Sequence, residues 1–162
     1  MTYDSNRRGI DTTVAEAVRV AQSAPPAQRP QVFLYSRASY YAVGFAGKAW
    51  AQNESGLLQQ TDLESAIARP AAHGINGIVL WGSSEDCTPT AGGLSAAAKC
   101  AEQSEFIRSS LGPAALGAIA AADECAKKHC PQGGRCIGID ATGKELDKPT
   151  CSAKMEKQTE QQ

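Results

Sequence analysis

The chain of 162 residues has no long apolar run, almost no net charge and few large apolar side chains, and these shortages limit the kinds of protein it can be. No run of about 18 apolar residues is present, so the sequence predicts no membrane span. The net charge is only −1, which gives no basic field of the kind that attracts nucleic acid. A mean hydropathy of −0.32 and a hydrophobic fraction of 42%, much of it alanine, predict a thin core of small side chains. The length is nevertheless sufficient for one domain with a core.

The sequence also predicts no signal peptide at its amino end, because the charged residues 1–8 have no hydrophobic run behind them. Cysteine, in contrast, is abundant: six cysteines are unusual for a cytosolic protein of this size. Three of them cluster with glycines in residues 125–136, which favours a disulfide-stapled module and an oxidising compartment. The sequon at residues 53–55 fits secretion, so the missing signal peptide predicts that the chain is incomplete.

Zinc is the competing interpretation of the cysteine cluster. It is disfavoured because no Cys-x-x-Cys pair is present and His129 is adjacent to Cys130 rather than spaced from it. We therefore expect no metal and no cofactor.

The apolar pattern predicts the order helix, strand, helix, strand, helix, helix. Thr-x-x-Glu capping boxes at Thr13 and Thr61 predict two helix starts, and Gly74 predicts the end of the second helix. Pro70 predicts a kink or an early stop inside that helix. Gly112-Pro113 predicts a break between the two last helices.

Two short apolar runs, which end at Tyr35 and Trp81, predict buried strands. Because a long helical crossover joins the strands, we expect them to be parallel, with both aromatic side chains at the same edge. Ligands bind at the carboxyl edge of parallel α/β sheets, which makes Trp81, Ser83 and Ser84 candidates for a binding surface. The alternative is that Trp81 is a core residue and the serines only fill a loop. The predicted strands are residues 31–35 and 77–81.

Five short segments in register resemble the end of the catalytic barrel of the animal-type hyaluronidases, which cleave hyaluronan and chondroitin. The resemblance covers roughly residues 13–136. Its segments are Val14 to Ala21, Gly77 to Asp86, Ala98-Lys99-Cys100, Leu111-Gly112-Pro113, and the cysteines Cys125, Cys130 and Cys136, the last within Gly134-Arg135-Cys136.

For the fold, the resemblance implies an α/β architecture: a partial (β/α) TIM-type barrel, made of the last two parallel strands and their helices, with a small disulfide-stapled EGF-like tail. Two strands cannot close a barrel alone, so we expect the chain to be part of a larger fold. The implied divisions are a disordered leader (1–11), the partial barrel (12–124), a partial EGF-like cysteine-rich module (125–151) and a disordered tail (152–162).

For the cysteines, the resemblance implies a bridge between Cys125 and Cys136. Cys130 would then pair with Cys151, the one candidate further along the chain. Cys100 pairs in the family with a cysteine that this chain lacks, and the extra Cys87 could capture it if the geometry allows.

For the site, the resemblance implies that Tyr35 lines the substrate cleft and that Trp81 lies beneath the acetamido group of the sugar, with Ser83 and Ser84 near the same sugar. A core aromatic whose hydroxyl reaches solvent is the alternative for Tyr35. Family members often carry an arginine just before the Val-Ala-Glu-Ala type segment, where this chain has Thr13. A cation that would hold glucuronate carboxylates is therefore missing from that position.

Catalysis in the hyaluronidases uses the substrate's own acetamido group as the nucleophile, and an Asp-x-Glu pair supplies the acid and its partner. The sequence has one such pair, Asp62-Leu63-Glu64. It opens an amphipathic helix, where carboxylates favour the helix dipole, and no buried strand precedes it. We therefore expect no catalytic residue in this chain.

The favoured hypothesis is the carboxyl-terminal part of a secreted or lysosomal hyaluronidase-like endo-hexosaminidase. It would act on hyaluronan or chondroitin by substrate-assisted retaining catalysis, and the chain alone would be inactive. The alternative is a free-standing, non-catalytic secreted module that binds a glycan or a protein through the surface around Tyr35 and Trp81.

Overall fold

A computed structural model describes residues 3–25, 28–38, 57–81 and 95–152. Its elements are α1 (Tyr3–Ser23), β1 (Phe33–Arg37), α2 (60–72), β2 (Gly77–Trp81), α3 (96–129), β3 (Cys136–Ile139) and β4 (Glu145–Cys151). The strands form two separate two-stranded sheets, β1–β2 and β3–β4. Within these ranges the parallel sheet does not close into a barrel, and no helix has the length and apolar character that crossing a membrane requires.

The strands β1 and β2 are parallel, as the helical crossover between them predicts. The first strand ends at Arg37 rather than at Tyr35, because the chain stays extended for two more residues and pairs Arg37 with Trp81. Side chains alternate between the two faces of a sheet. Leu34 and Ile78 therefore share the face that packs on the helices, whereas Tyr35, Arg37 and Trp81 share the other face.

The core consists of two small clusters that meet at Ile78 of β2. One joins α1 to the turn before β2, and the other joins α2 to α3. Their buried members are Val14, Val18 and Ile75 in the first cluster, and Leu63, Ile67, Leu111 and Ala118 in the second. The core is thin, as the alanine-rich composition predicts.

The helix α1 begins at Tyr3, so Thr13 lies in its middle and the predicted capping box there is wrong. The predicted leader is helical from Tyr3 because its last residues are held by the fold. Asp11 is buried, and Ile10 packs against the first core cluster. A polar segment that gains such contacts is ordered by tertiary packing rather than by its own composition.

The helix α2 begins at Gln60, so the capping box predicted at Thr61 is also wrong. The carbonyl of Gln59 already accepts hydrogen bonds from the amides of Asp62 and Leu63, which starts the helical pattern two residues before Thr61. The end of α2 is as predicted: Gly74 has a φ of 79°, and its amide donates to the carbonyl of Ala71.

Both prolines that were expected to break helices lie just after a π-helical turn. In α2 the turn Glu64–Ala68 precedes Pro70, and in α3 the turn Ile107–Leu111 precedes Pro113. A proline has no amide hydrogen and collides with the carbonyl four residues back, and the wider turn relieves that collision. The helices therefore continue past both prolines, and α3 runs unbroken from 96 to 129.

The residues after Cys130 form an antiparallel hairpin, β3–β4. Its turn is organised by Asp140, whose Oδ1 accepts hydrogen bonds from the amides of Thr142 (2.8 Å) and Lys144 (3.0 Å) and from the Thr142 hydroxyl (2.7 Å). These bonds hold the pKa of the Asp140 carboxyl below its ordinary value, and the bond from the Thr142 hydroxyl has the largest effect. Gly143 completes the turn with a φ of 77°.

Candidate functional site

The carboxyl edge of the parallel sheet brings a cation and an aromatic ring together. Arg37 and Trp81 are paired at the ends of their strands, and the guanidinium carbon of Arg37 lies 4.5 Å from the centroid of the Trp81 ring. This is a cation–π contact, worth about 0.5–1 kcal/mol at an exposed position. The pair therefore places a positive charge over one face of the aromatic ring.

Tyr35 lies one step back from this edge on the same face, opposite Val79. Its side chain is 70% exposed, and Trp81 is 44% exposed. Neither is therefore a core residue in this structure. Phe33 continues the same surface, with its ring close to the backbone of Gly77. We call this surface, made of Phe33, Tyr35, Arg37, Val79 and Trp81, the open face.

Two of the candidate residues, Ser83 and Ser84, lie outside the described residues, as does Cys87. Cys100 is disulfide-bonded, and its partner also lies outside them.

The carboxylates of Asp62 and Glu64 are on the other side of the sheet. They belong to the first part of α2, whose buried Leu63 and Ile67 pack against Ile78. Ile78 points away from the open face, since it alternates with Val79. The fold therefore places the Asp-x-Glu pair on the helix-covered face of the sheet and not on the open face with Trp81.

Arg37 was missed as a site residue in the sequence. A signal was present, because Arg37 follows Tyr35 by two positions, which is the spacing of residues on one face of a strand. Ending the strand at Tyr35 hid that relation. The resemblance drew attention instead to the position of Thr13, which lies within α1.

A second polar cluster is buried between α1 and α2. Asp11 is 1% exposed and accepts hydrogen bonds from Arg69, with Nη2 at 2.6 Å from Oδ2 and Nε at 3.1 Å from Oδ1. Nε2 of His73, a residue only 2% exposed, lies 3.0 Å from the same Oδ1. The sequence does not predict this cluster, because Arg69 and His73 are 58 and 62 positions from Asp11 along the chain.

Desolvation by burial raises the pKa of the Asp11 carboxyl, but hydrogen bonds from Arg69 and His73 and the charge of Arg69 outweigh it. The pKa therefore lies below the ordinary value. Arg69 also donates to the carbonyl of Gly143 at 2.8 Å, so the cluster joins α1, α2 and the turn of the hairpin. With no access to solvent, it is a structural clamp rather than a reaction centre.

Two disulfides join α3 to the hairpin, Cys125–Cys136 and Cys130–Cys151. These are the pairs that the resemblance implies. Because all four sulfurs are consumed in bonds to one another, they are not available as zinc ligands. Within the described ranges no group of three or more His, Cys, Asp or Glu residues could hold a metal ion.

Comparison with known proteins gives one consistent family. A family model described as hyaluronidase matches residues 2–162. Hyaluronidase of Echis pyramidum leakeyi is 28% identical over 134 residues, which are 83% of this chain and 26% of that protein. Hyaluronidase-4 of Homo sapiens is 31% identical over 124 residues, or 76% of this chain and 22% of that protein. Hyaluronidase-2 of Mus musculus is 28% identical over 132 residues, which are 82% of this chain and 24% of that protein.

The chain thus spans about a quarter of the length of the curated relatives that it matches. No solved structure matches it significantly.

Proposed function

Because the chain belongs to the hyaluronidase family, we propose that it supplies a substrate-binding edge of a glycosidase that degrades hyaluronan or chondroitin. The observation that carries the proposal is the Arg37–Trp81 pair at the carboxyl edge of a parallel sheet. In this proposal the aromatic ring of Trp81 packs against the acetamido sugar, and Tyr35 extends the same wall. Ser83 and Ser84 are proposed to contact the same sugar.

Arg37 is proposed to take the role that the resemblance gives to an arginine at the position where this chain has Thr13. Its guanidinium is proposed to donate to the carboxylate of the neighbouring glucuronate, and the cation–π contact with Trp81 keeps the donor next to the stacking surface. A charge-assisted bond from arginine to a carboxylate is directional and stronger than a neutral one. Glucuronate and N-acetylhexosamine alternate in this class of glycan, so a cation next to an aromatic ring matches the repeat.

The architecture proposed for this edge is a piece of a (β/α) barrel. A parallel pair whose one face packs on helices and whose other face carries exposed aromatics is what two neighbouring barrel strands would present. The hairpin with its disulfides is proposed to begin an EGF-like module. The disulfides and the family favour an extracellular or lysosomal location.

The chain alone is proposed to bind its glycan without cleaving it. Its Asp-x-Glu pair is on the helix-covered side of the sheet, and general acid catalysis typically contributes ~10²- to 10⁴-fold. A non-catalytic glycan- or protein-binding module is the alternative function, and the position of Asp62 and Glu64 favours it as well.

The test is binding and turnover of hyaluronan oligosaccharides by the full oxidised chain. We expect saturable binding, no release of reducing ends across the acidic and neutral pH range, and loss of binding in Trp81→Ala. Arg37→Gln should weaken binding about tenfold, the effect of losing one charge-assisted hydrogen bond. Arg19→Gln is the matched control, because it removes the same charge from an exposed residue of α1 that pairs with Glu16.

Unchanged binding in both Trp81→Ala and Arg37→Gln would refute the proposed edge. Turnover that disappears in Glu64→Gln would refute the proposed absence of a catalytic acid and leave the binding proposal standing. Binding of a protein in place of the glycan would favour the alternative module.

A further inference from the structure

A cavity of about 250 Å³ lies at the opposite end of the parallel sheet from Trp81. It is a half-open pocket bordered by the last turns of α1, the segments that lead into β1 and β2, and the base of the hairpin. Its polar lining consists of Gln22, Arg29, Asn76, Arg135 and Ser152. Since each strand has five residues, the cavity is roughly 13 Å from the Arg37–Trp81 edge.

Two hydrogen-bond donors at this cavity are buried without an acceptor. Nε2 of Gln22 and Nη1 of Arg29 are closed off from solvent and have no hydrogen-bond partner in the described structure. Arg29 is anchored through its Nε, which donates to the carbonyl of Ala24 at 3.1 Å, so the rest of its guanidinium is held in place. Leaving such donors unsatisfied is costly, and most of all for a charged group.

Two of the side-chain oxygens that line the cavity are already engaged. Oδ1 of Asn76 accepts from the amide of Val32 at 2.7 Å, and Oγ of Ser152 accepts from the amide of Arg135 at 2.8 Å. These bonds also tie together the segments that enclose the cavity, so its shape is fixed by the fold. What the cavity needs from a ligand is therefore acceptor atoms.

The charge of the lining has one sign. Arg135 places a second guanidinium at the cavity, and it donates to the carbonyl of Ile75. Burial lowers the pKa of Arg135, which is the mark of a cation that lacks a compensating charge. No carboxylate is among the lining residues in the described part of the chain.

We propose that this cavity binds a small oxyanion, a carboxylate or a sulfate group, between Arg29 and Arg135 with the amide of Gln22 as a further donor. Such a ligand brings several acceptor lone pairs and a negative charge to a site that has donors and positive charge in excess. The site is separate from the proposed glycan edge and does not depend on it.

The test is a titration of the full oxidised chain with sodium sulfate at constant ionic strength against sodium chloride. The readouts are the thermal unfolding midpoint and the side-chain N–H resonances of Arg29. A ligand that binds only the folded state raises the midpoint in a saturable way. We expect Arg29→Gln to weaken sulfate at least about tenfold, and Arg108→Gln, the same charge change at an exposed residue of α3, to leave it unchanged.

Gln22→Met is a second test variant, in case Arg29→Gln fails to fold. It removes an unsatisfied buried amide and keeps the length of the side chain, so it should raise the midpoint in chloride while it weakens sulfate severalfold. Sulfate also stabilises proteins generally by exclusion from their surface. A midpoint that rises equally in Arg29→Gln, Gln22→Met and Arg108→Gln would show that general effect and overturn the proposal.

Two further ligands identify the source of the anion. Sodium glucuronate and a chondroitin sulfate disaccharide are titrated in the same way. Saturable shifts of the Arg29 resonances by inorganic sulfate alone assign the site to free anions, and shifts by the sugar acids as well assign it to acid groups carried by a glycan. Absence of saturation with all three overturns the proposal. Trp81→Ala should respond to sulfate like the native chain, which separates this site from the proposed edge.

Discussion

Single residues far apart in the sequence hold the helices of this protein to its hairpin. Asp11, Arg69 and His73 meet in a space closed to solvent, and Arg69 reaches on to the carbonyl of Gly143. A buried ion pair adds little compared with apolar residues of the same shape, but removal of one partner leaves an uncompensated charge. The cluster therefore makes the fold sensitive to single substitutions.

Replacement of Asp11 by asparagine should destabilise the protein by about 3–5 kcal/mol, because it leaves the guanidinium of Arg69 buried without its counter-ion. Urea unfolding at neutral pH measures the loss. Asp123→Asn, an exposed change on α3, should stay within about 0.5 kcal/mol.

The difference in unfolding free energy between the native protein and Asp11→Asn should depend on pH. The pKa of Asp11 is lower in the folded protein than in the unfolded chain, so its contribution is complete above the unfolded value. It is lost as the pH falls from that value through the folded pKa. The stability difference between native and Asp11→Asn proteins should therefore be constant near neutrality and shrink in acid. A difference that grows in acid would contradict the assignment.

Gly143→Ala tests the same clamp from the hairpin side. A Cβ there would overlap the guanidinium of Arg69 and the carboxylate of Asp11, and the φ of 77° already disfavours a side chain. We expect a loss of about 3 kcal/mol or more, measured by thermal unfolding. Gly138→Ala is the control on the same hairpin, because its Cβ would meet nothing within 4 Å. Equal losses in both variants would argue against the clamp.

At the scale of the elements, the two π-helical turns let the helices continue past a proline. Each π turn has five residues and is followed by one further residue and then a proline. The amide of the residue just before the proline donates to the carbonyl five positions back. Arg69 donates to Glu64 in this way, and Gly112 donates to Ile107. The prolines are thus tolerated in mid-helix without a break.

Gly112→Ala should destabilise α3 by about 1–3 kcal/mol, because the new Cβ would lie 2.8 Å from the carbonyl oxygen of Ile107 and force the π turn to open. Gly117→Ala, five residues further along the same helix, meets nothing within 4 Å and should stabilise the protein by about 0.5–1 kcal/mol. Unfolding in urea compares the two. Opposite signs are expected, and stabilisation by both would refute the role of Gly112.

At this scale the sequence predicts the features that depend on local pattern and on chain connectivity. The parallel pairing of β1 and β2 and the cap at Gly74 are confirmed. The helix starts at Thr13 and Thr61 and the stops at the prolines are wrong, because packing and a π turn override a local signal. The Asp11 cluster depends on contacts between distant parts of the chain, which no local pattern contains, whereas Arg37 had a local signal in its two-residue spacing from Tyr35.

At the scale of the whole molecule, the described residues cover the parallel sheet with helices on one side only. Its open face exposes Phe33, Tyr35 and Trp81 next to one another. Adjacent exposed aromatics on a short sheet favour association with other apolar surfaces. The chain by itself should therefore self-associate as its concentration rises.

The double variant Phe33→Thr/Tyr35→Thr should raise the concentration at which association begins by roughly 30-fold or more, since each aromatic withdrawn from such a contact removes on the order of 1–2 kcal/mol and the two together remove about 2–4 kcal/mol. Threonine keeps the strand propensity of these positions. Light scattering against concentration measures the change. Val20→Thr, at an exposed position of α1, is the control and should have no effect, and a similar effect there would point to general hydrophobicity instead.

The bridge between Cys130 and Cys151 has a consequence for proteolysis. A protease that cuts after the exposed Lys144, in the turn of the hairpin, separates the polypeptide into two pieces. The second piece contains Cys151 and stays covalently attached to α3. A nicked molecule would therefore migrate as one species on a gel until a reductant is added. In an oxidising and protease-rich environment the hairpin can lose its backbone continuity and still keep its place.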